Sequence, residues 1–231
     1  TPMGWSTDGF NPCNSRDITI ERCFFRTGDD CISIKGATGP DLFKEPHAPP
    51  AEQPPVENIV VSNCVFWGEG NNVIAIGSET RARYMRNIRV QNCDVLYHKR
   101  DSEAVFAIIP LHGTEIRDIV YDDIRIEHCI SQLFNFRFLD SIFGIPGDQS
   151  YPGAISNVTI RNISVGHQEN GPRSTVFGYS EAKQIQHVTI QGLRYDGKLI
   201  HNVAEGGFAL NKYTPVDNIR FITAAAMAAG L

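Results

Sequence analysis

Seven times this chain returns to one short segment that opens on Asp, Asn or His and then alternates apolar and polar residues. The copies are Asp17-Ile18-Thr19-Ile20, Asn58-Ile59-Val60-Val61, Asn87-Ile88-Arg89-Val90, Asp118-Ile119-Val120-Tyr121, Asn157-Val158-Thr159-Ile160, His187-Val188-Thr189-Ile190 and Asn218-Ile219-Arg220-Phe221. Their starts lie 29, 30 or 31 residues apart, apart from two steps of 41 and 39 that hold the loops 40–55 and 143–153. Period-two alternation buries one face of a strand and wets the other. No stretch of helical length shows the 3.6-residue period. Strands spaced this widely, with no helices between them, do not suit a sandwich, whose strands recur every ~8 to 12 residues. The repeat predicts an all-β fold, a right-handed parallel β-helix of about seven coils forming a single domain over residues 1–231.

Five residues after the first apolar position of each copy stand Cys23, Cys64, Cys93, Ile124, Ile163 and Leu193. In stacked coils about 4.8 Å apart this column is an inward-facing ladder, and the cysteines are small core residues rather than disulfides, because parallel in-register thiols are poorly posed for the bridge torsion. Cys31 and Cys129 are expected to be buried too. With six cysteines in 231 residues and no C-x-x-C pair, neither a disulfide scaffold nor a zinc or redox site is indicated. No metal or other cofactor is expected. The chain is 42% hydrophobic and 20% charged, as globular proteins are, and its net charge of −5 argues against nucleic acid or an anionic membrane as partner. No apolar run reaches the ~18 residues of a membrane span, and the first residues lack a signal-peptide pattern.

Two stretches stand out from the strand-forming background: Thr7-Asp8-Gly9-Phe10 and Thr27-Gly28-Asp29-Asp30-Cys31, with Asp8 and Asp29 separated by 21 residues. That interval is about one coil, so Asp8 and Asp29 are expected on successive rungs. Gly28 is expected to bend the chain so that Asp29 and Asp30 share a face. Carboxylates this close raise one another's pKa, which is how one stays protonated as an acid while another works as a base. Spacing alone also leaves open a solvated Asp29-Asp30 turn and an Asx-turn at Asp8.

The stretch Ser6 to Gly36, STDGFNPCNSRDITIERCFFRTGDDCISIKG, resembles the central motif of the polygalacturonase-type β-helix hydrolases, glycoside hydrolase family 28: Asn-Thr-Asp-Gly followed by Gly-Asp-Asp-Cys-Ile-Ala-Ile-Lys. The resemblance includes the 21-residue interval and Lys35. It implies a polysaccharide hydrolase that inverts anomeric configuration, with Asp29 as general acid and with Asp8 and Asp30 holding and deprotonating the attacking water. It also implies a polysaccharide substrate, such as a pectic polymer, met outside the cell or in a periplasm. Where the family has Gly-His-Gly before Ile-Gly-Ser, this chain has Asn71-Asn72-Val73, which puts Asn72 in the place of the histidine. Where the family has Arg-x-Lys to grip a uronate, this chain has apolar residues around Phe106 and Ile108. These departures point away from fully de-esterified polygalacturonate and toward a neutral or mixed backbone.

Other residues expected to contact sugar are Trp67 and Tyr97, whose flat faces suit a sugar ring or else cap coil corners. Glu79 and Arg81, with Arg83, Arg86, Lys99 and Arg100, form either a basic rim or a solvated loop. His98, His112 and His128 lack metal-ligand spacing and are assigned surface or turn-capping roles. The sequons at Asn157 and Asn162 follow from the strand repeat itself. Three other readings remain: a pectate-lyase-like enzyme, which needs a calcium site and an arginine base, a non-catalytic carbohydrate-binding or adhesive β-helix, and a dextranase-type hydrolase of neutral α-glucans. Since the motif stands at the very start of the chain, the usual N-terminal coils are expected to be lacking: either the sequence is a fragment of a longer β-helix, or another chain, as in a homo-oligomer, covers the uncapped first coil. The alanine-rich end, ITAAAMAAGL, suggests a short capping helix.

Overall fold

The structure, a computed structural model, describes residues 6–36, 50–99, 103–130, 132–150, 153–167 and 173–222. The alanine-rich end and Arg100 lie outside the described residues. The chain winds as a parallel β-helix. One sheet takes the strands Arg16–Glu21, Val56–Ser62, Tyr84–His98, Glu115–His128, Ile155–His167, Ile185–Gln191 and Ile219–Ile222 in chain order. A second sheet takes Ile32–Ile34, Ile74–Ser78, Ala104–Pro110, Gln132–Arg137, Arg173–Phe177 and Phe208–Leu210, again in chain order and parallel. The sequence repeat is the register of the first sheet: Ile18, Ile59, Ile88, Ile119, Val158, Val188 and Ile219 pair down the stack, coil to coil. Among the described residues no helix is long and apolar enough to cross a membrane.

The structure refines one part of the reading. A step of five residues in a simple strand points to opposite faces, yet Ile88 and Cys93, like Ile119 and Ile124, are both in the core. The polar residue that opens each copy supplies the reason. Asp17, Asn58, Asn87, Asp118, Asn157 and His187 all have φ between 53° and 58°, and a second left-handed column follows at Arg22, Asn63, Asn92, Asp123 and Asn162. Each such residue slips the alternation by one place. Along Tyr84–His98 the buried residues are therefore Met85, Ile88, Val90, Cys93, Val95 and His98, in steps of three and two. Asn and Asp tolerate this conformation better than other L-residues. Their side chains also join the coils: Asn58 Nδ2 donates to Asp17 Oδ1 at 2.7 Å and Asn87 Nδ2 to Asn58 Oδ1 at 2.7 Å.

The cysteine ladder holds for Cys64 and Cys93, which are buried and in no disulfide, as are Cys31 and Cys129. Cys23 departs from it and is exposed, because the strand Arg16–Glu21 beside it has a neighbouring strand on one side only among the described residues. In the second sheet Ile34, Ile76, Ile108, Phe136, Val176 and Leu210 fill the core in register. The outward positions one residue further on are Lys35, Gly77, Ile109, Arg137 and Phe177. This outward column is the ground on which the functional site stands.

Candidate active site

Asp8, Asp29 and Asp30 line one cleft of about 510 Å³, together with Lys35, Asn71, Asn72 and Glu79 near them and Glu103, Arg137 and Phe143 further along. Parallel pairing sets the acids. Phe10 pairs with Ile32 and Cys13 with Lys35, a register step of 22 residues, so Asp8 lies level with Asp30 rather than with Asp29. The next coil is 42 residues on, with Ile32 opposite Ile74, which brings Asn71 level with Asp29 and Asn72 level with Asp30.

Glycine permits this close stacking. A Cβ on Gly70 would stand 1.7 Å from the Gly28 carbonyl oxygen, and one on Gly9 would stand 2.4 Å from that of Cys31. Gly28 itself is not in the left-handed region; its carbonyl packs closely against Gly70.

Each acid has its own environment. Asp29 Oδ1 accepts from its neighbour Asp30 N at 3.0 Å and from Asn71 Nδ2 at 2.9 Å, and its Oδ2 accepts from Ser6 N at 3.0 Å. His98 lies behind this arrangement. It is fully buried, donates from Nε2 to the Asn71 carbonyl at 3.1 Å, and burial pushes its imidazole down to about 4, so it supports Asn71 as a neutral ring. Of the surface or turn-capping roles expected for His98 and His112, the surface one is corrected: both are buried, His98 with its ring on the Asn71 carbonyl and His112 against Thr80 and Arg81.

Asp30 is 7% exposed, and burial pushes its carboxyl from 3.8 up to about 7, outweighing the lowering by hydrogen bonds from Asn72 and Ser33. Its Oδ1 accepts both the backbone N–H of Asn72 at 2.8 Å and the side-chain Nδ2 at 3.0 Å. Asn72 Oδ1 in turn accepts from Ala104 N at 3.1 Å. Asn72, expected as a sugar contact, therefore lines the cleft while its amide is occupied in holding Asp30 to the next coil. Asp8 Oδ2 accepts from Asn11 Nδ2 at 2.6 Å and lies 3.8 Å from Lys35 Nζ. Burial alone would lower the Lys35 ammonium, but Glu79, at 3.4 Å, and Asp8 outweigh it and hold it above its ordinary range. Ser78 Oγ anchors Glu79 at 3.0 Å.

Two expected contacts lie elsewhere. Trp67, on Val65–Gly68, does not line the cleft; it packs on Tyr97 at 5.4 Å with the Arg26 guanidinium 5.5 Å from its ring. The strand that carries it belongs to the first sheet, whereas Asp29 and Asp30 lead into the second. Arg81 does not line the cleft either, since its guanidinium is turned to His112 Nε2 at 3.0 Å. Arg86 is bound to Glu57 at 2.9 Å and lies over Tyr84, so neither Arg81 nor Arg86 turns its charge to the cleft. The residues that sequence reasoning missed are Glu103, Arg137 and Phe143. Arg137 had a signal: it continues the outward column of Lys35 by the repeat's own register.

The family model for glycosyl hydrolases family 28 matches residues 5–132, more than half of the chain and all of the acid-bearing coils. The chain belongs to glycosyl hydrolases family 28. A polygalacturonase of Ralstonia solanacearum is 27% identical over 203 residues, covering 84% of this chain and 34% of the relative. The chain thus spans about a third of that relative's length. Among solved structures, a hyperthermoactive exopolygalacturonase from Thermotoga maritima superposes with a TM-score of 0.60 at 17% identity, over 93% of this chain and 44% of that one. A family 28 exopolygalacturonase of Yersinia enterocolitica gives a TM-score of 0.59 at 15% identity, over 93% of this chain and 38% of that one. At these identities the two structures bear on fold alone, and both are β-helix enzymes of the architecture described above. For a family 28 chain, three carboxylates on adjoining coils of one cleft are the chemical centre to account for.

Proposed function

We propose that this protein is an inverting polysaccharide hydrolase acting on a pectic-type backbone outside the cytoplasm, with Asp29 donating a proton to the leaving oxygen and Asp8 and Asp30 orienting and deprotonating water. The observation that carries this is the convergence of the three acids on one cleft, with Asp8 and Asp30 level on adjoining coils and Asp29 a residue to one side. Inversion needs carboxyl groups ~6.5 to 9.5 Å apart to admit water. One coil of ~4.8 Å plus a sideways offset suits that separation better than the shorter one that retention requires.

The raised pKa of Asp30 favours a second reading, in which Asp30 is the donor and Asp29 works with Asp8 on the water. The limbs of the pH–rate profile separate the two. An ionised Asp30 acting as base makes the rate rise through about pH 7, whereas a protonated Asp30 acting as acid makes it fall there. As for substrate, Lys35, the cation closest to the acids, is committed to Glu79 and Asp8, and the third coil offers apolar Ile109. This supports a mixed backbone such as rhamnogalacturonan over fully de-esterified polygalacturonate at the bond that is cleaved. Reducing-sugar release from a polysaccharide panel, with proton NMR of the first product, is the test. Retention of configuration, or no release from any pectic polymer, overturns the proposal.

A further inference from the structure

Beyond the acids the cleft continues along the helix axis to a group of residues that no step of hydrolysis uses. Arg137 ends the strand Gln132–Arg137, on the outward face of the second sheet and three coils beyond Lys35, about 14 Å along the axis at 4.8 Å per coil. It lines the cleft, is exposed, and forms no ion pair with any described residue. Two positions back on the same face is Asn135, 1% exposed, whose amide nitrogen and oxygen both have no hydrogen-bond partner. Immediately after Arg137 the chain makes a hairpin, Ser141–Ile142 against Ile145–Pro146, with Phe143 and Gly144 at its tip.

Phe143 is in an unusual state on two counts. It is 88% exposed at the cleft wall, and its φ is 53°, with Gly144 following at 76°. A two-residue hairpin with positive φ at both tip positions favours Asn-Gly, and a bulky aromatic in the left-handed region carries strain. Neither folding nor solubility asks for phenylalanine here. The hairpin's base is also held firmly. Gln149 Nε2 donates to the carbonyls of Pro110 and Leu111 at 3.1 Å, Lys183 Nζ donates to Gln149 Oε1 at 3.1 Å, and Gly147 N donates to Asp140 O at 2.6 Å. The aromatic tip thus stands on an anchored hairpin and lines the same cleft as the arginine.

We propose that Arg137 and Phe143 form a distal subsite that takes a uronate residue of the polymer, the guanidinium pairing with the sugar carboxylate and the ring lying on the sugar's apolar face. A fork of N–H donors fits a carboxylate in two parallel hydrogen bonds, and a flat exposed ring is worth most where water is displaced from one side. The distance from the acids is greater than one sugar ring spans, so the carboxylate recognised here belongs to a sugar away from the bond being cut. Both residues lie beyond the segment that the family model matches. The proposal rests on the reading of this cleft as a polysaccharide site.

The test is calorimetric binding of an oligogalacturonate of about five residues and of its fully methyl-esterified form to the Asp29→Asn protein, alone and with Arg137→Gln or Phe143→Ala added. The expected result is a loss of about 10- to 100-fold in affinity for the acid form with R137Q and little change for the ester, the range of a charge-assisted hydrogen bond. F143A is expected to weaken both by roughly fivefold, what burying a few tens of Å² of apolar surface is worth. In the otherwise unmodified enzyme, R137Q is expected to raise KM with kcat held. Equal binding of acid and ester by the parent, or unchanged affinity in R137Q, overturns the subsite. Binding that follows this pattern in a protein that hydrolyses no polymer leaves the subsite standing and rejects the hydrolase reading instead.

Discussion

Replacing Asp30 by Asn should make the protein more stable above pH 7 and far less active. Asp30 is buried with its carboxyl held at about 7 instead of 3.8, so between those two values the folded protein keeps a proton that the unfolded chain releases. Stability from this group is therefore full below about pH 4, falls as the pH rises through the window, and is lowest above 7. Each pH unit between the two values is worth about 1.4 kcal/mol, which sets a ceiling of about 4 kcal/mol, and relaxation around a real carboxylate brings the expectation to ~2–4 kcal/mol. Asparagine has nearly the same shape and keeps a carbonyl oxygen where Asn72 donates twice, but it does not ionise. Urea unfolding of both proteins at pH 4, 5, 6, 7 and 8 should give coincident curves at pH 4 and a growing advantage for D30N, with equal slopes. Activity should fall about 10²- to 10⁴-fold. A difference in stability that does not vary with pH, or D30N less stable at pH 8, would refute the reasoning.

Asn72→Ala removes a donor to Asp30 and leaves the Ala104 N–H without its acceptor, at a cost of ~1–3 kcal/mol; the Asp30 carboxyl should move higher still, seen as an upward shift of the corresponding limb of the pH–rate profile. Asn87→Ala should cost ~2 kcal/mol by urea unfolding, from left-handed strain and the lost bond to Asn58, whereas Asn87→Gly should cost about half as much because the strain is absent. Tyr121→Phe should be neutral or stabilising by up to ~1 kcal/mol in thermal melts, because the Tyr121 hydroxyl is buried without a partner while its ring packs 4.5 Å from Phe106.

Much of the fold is legible in the sequence because a β-helix writes its register as a repeat. The pairing of Ile18 through Ile219 follows directly from aligning the copies. The two left-handed columns were equally visible, as Asn or Asp at 87 and 92, 118 and 123, 157 and 162, but their conformation is a property of the bend and not of apolar alternation. The acids were legible as a group; their exact neighbours were not. A register step of 22 rather than 21 moves Asp8 from Asp29 to Asp30, a one-residue difference that no local pattern encodes. Trp67 sits on Val65–Gly68 and not at the cleft; in the sequence, an aromatic near a turn gives no sign of which sheet carries it. Arg137 and Phe143 were overlooked because they come from coils about a hundred residues further along the chain and reach the acids' cleft only through stacking.

Because the outward column of the second sheet advances one coil at a time, the cleft works as a ruler graduated in steps of about 4.8 Å. The acids mark its zero and Arg137 a point three divisions away. In a solenoid each coil touches only its neighbours, so a whole coil can be added or removed between those marks while either end keeps its own contacts. Changing the distance between the cut bond and the recognised carboxylate is then a matter of inserting or deleting one repeat, with no redesign of the chemistry at either end.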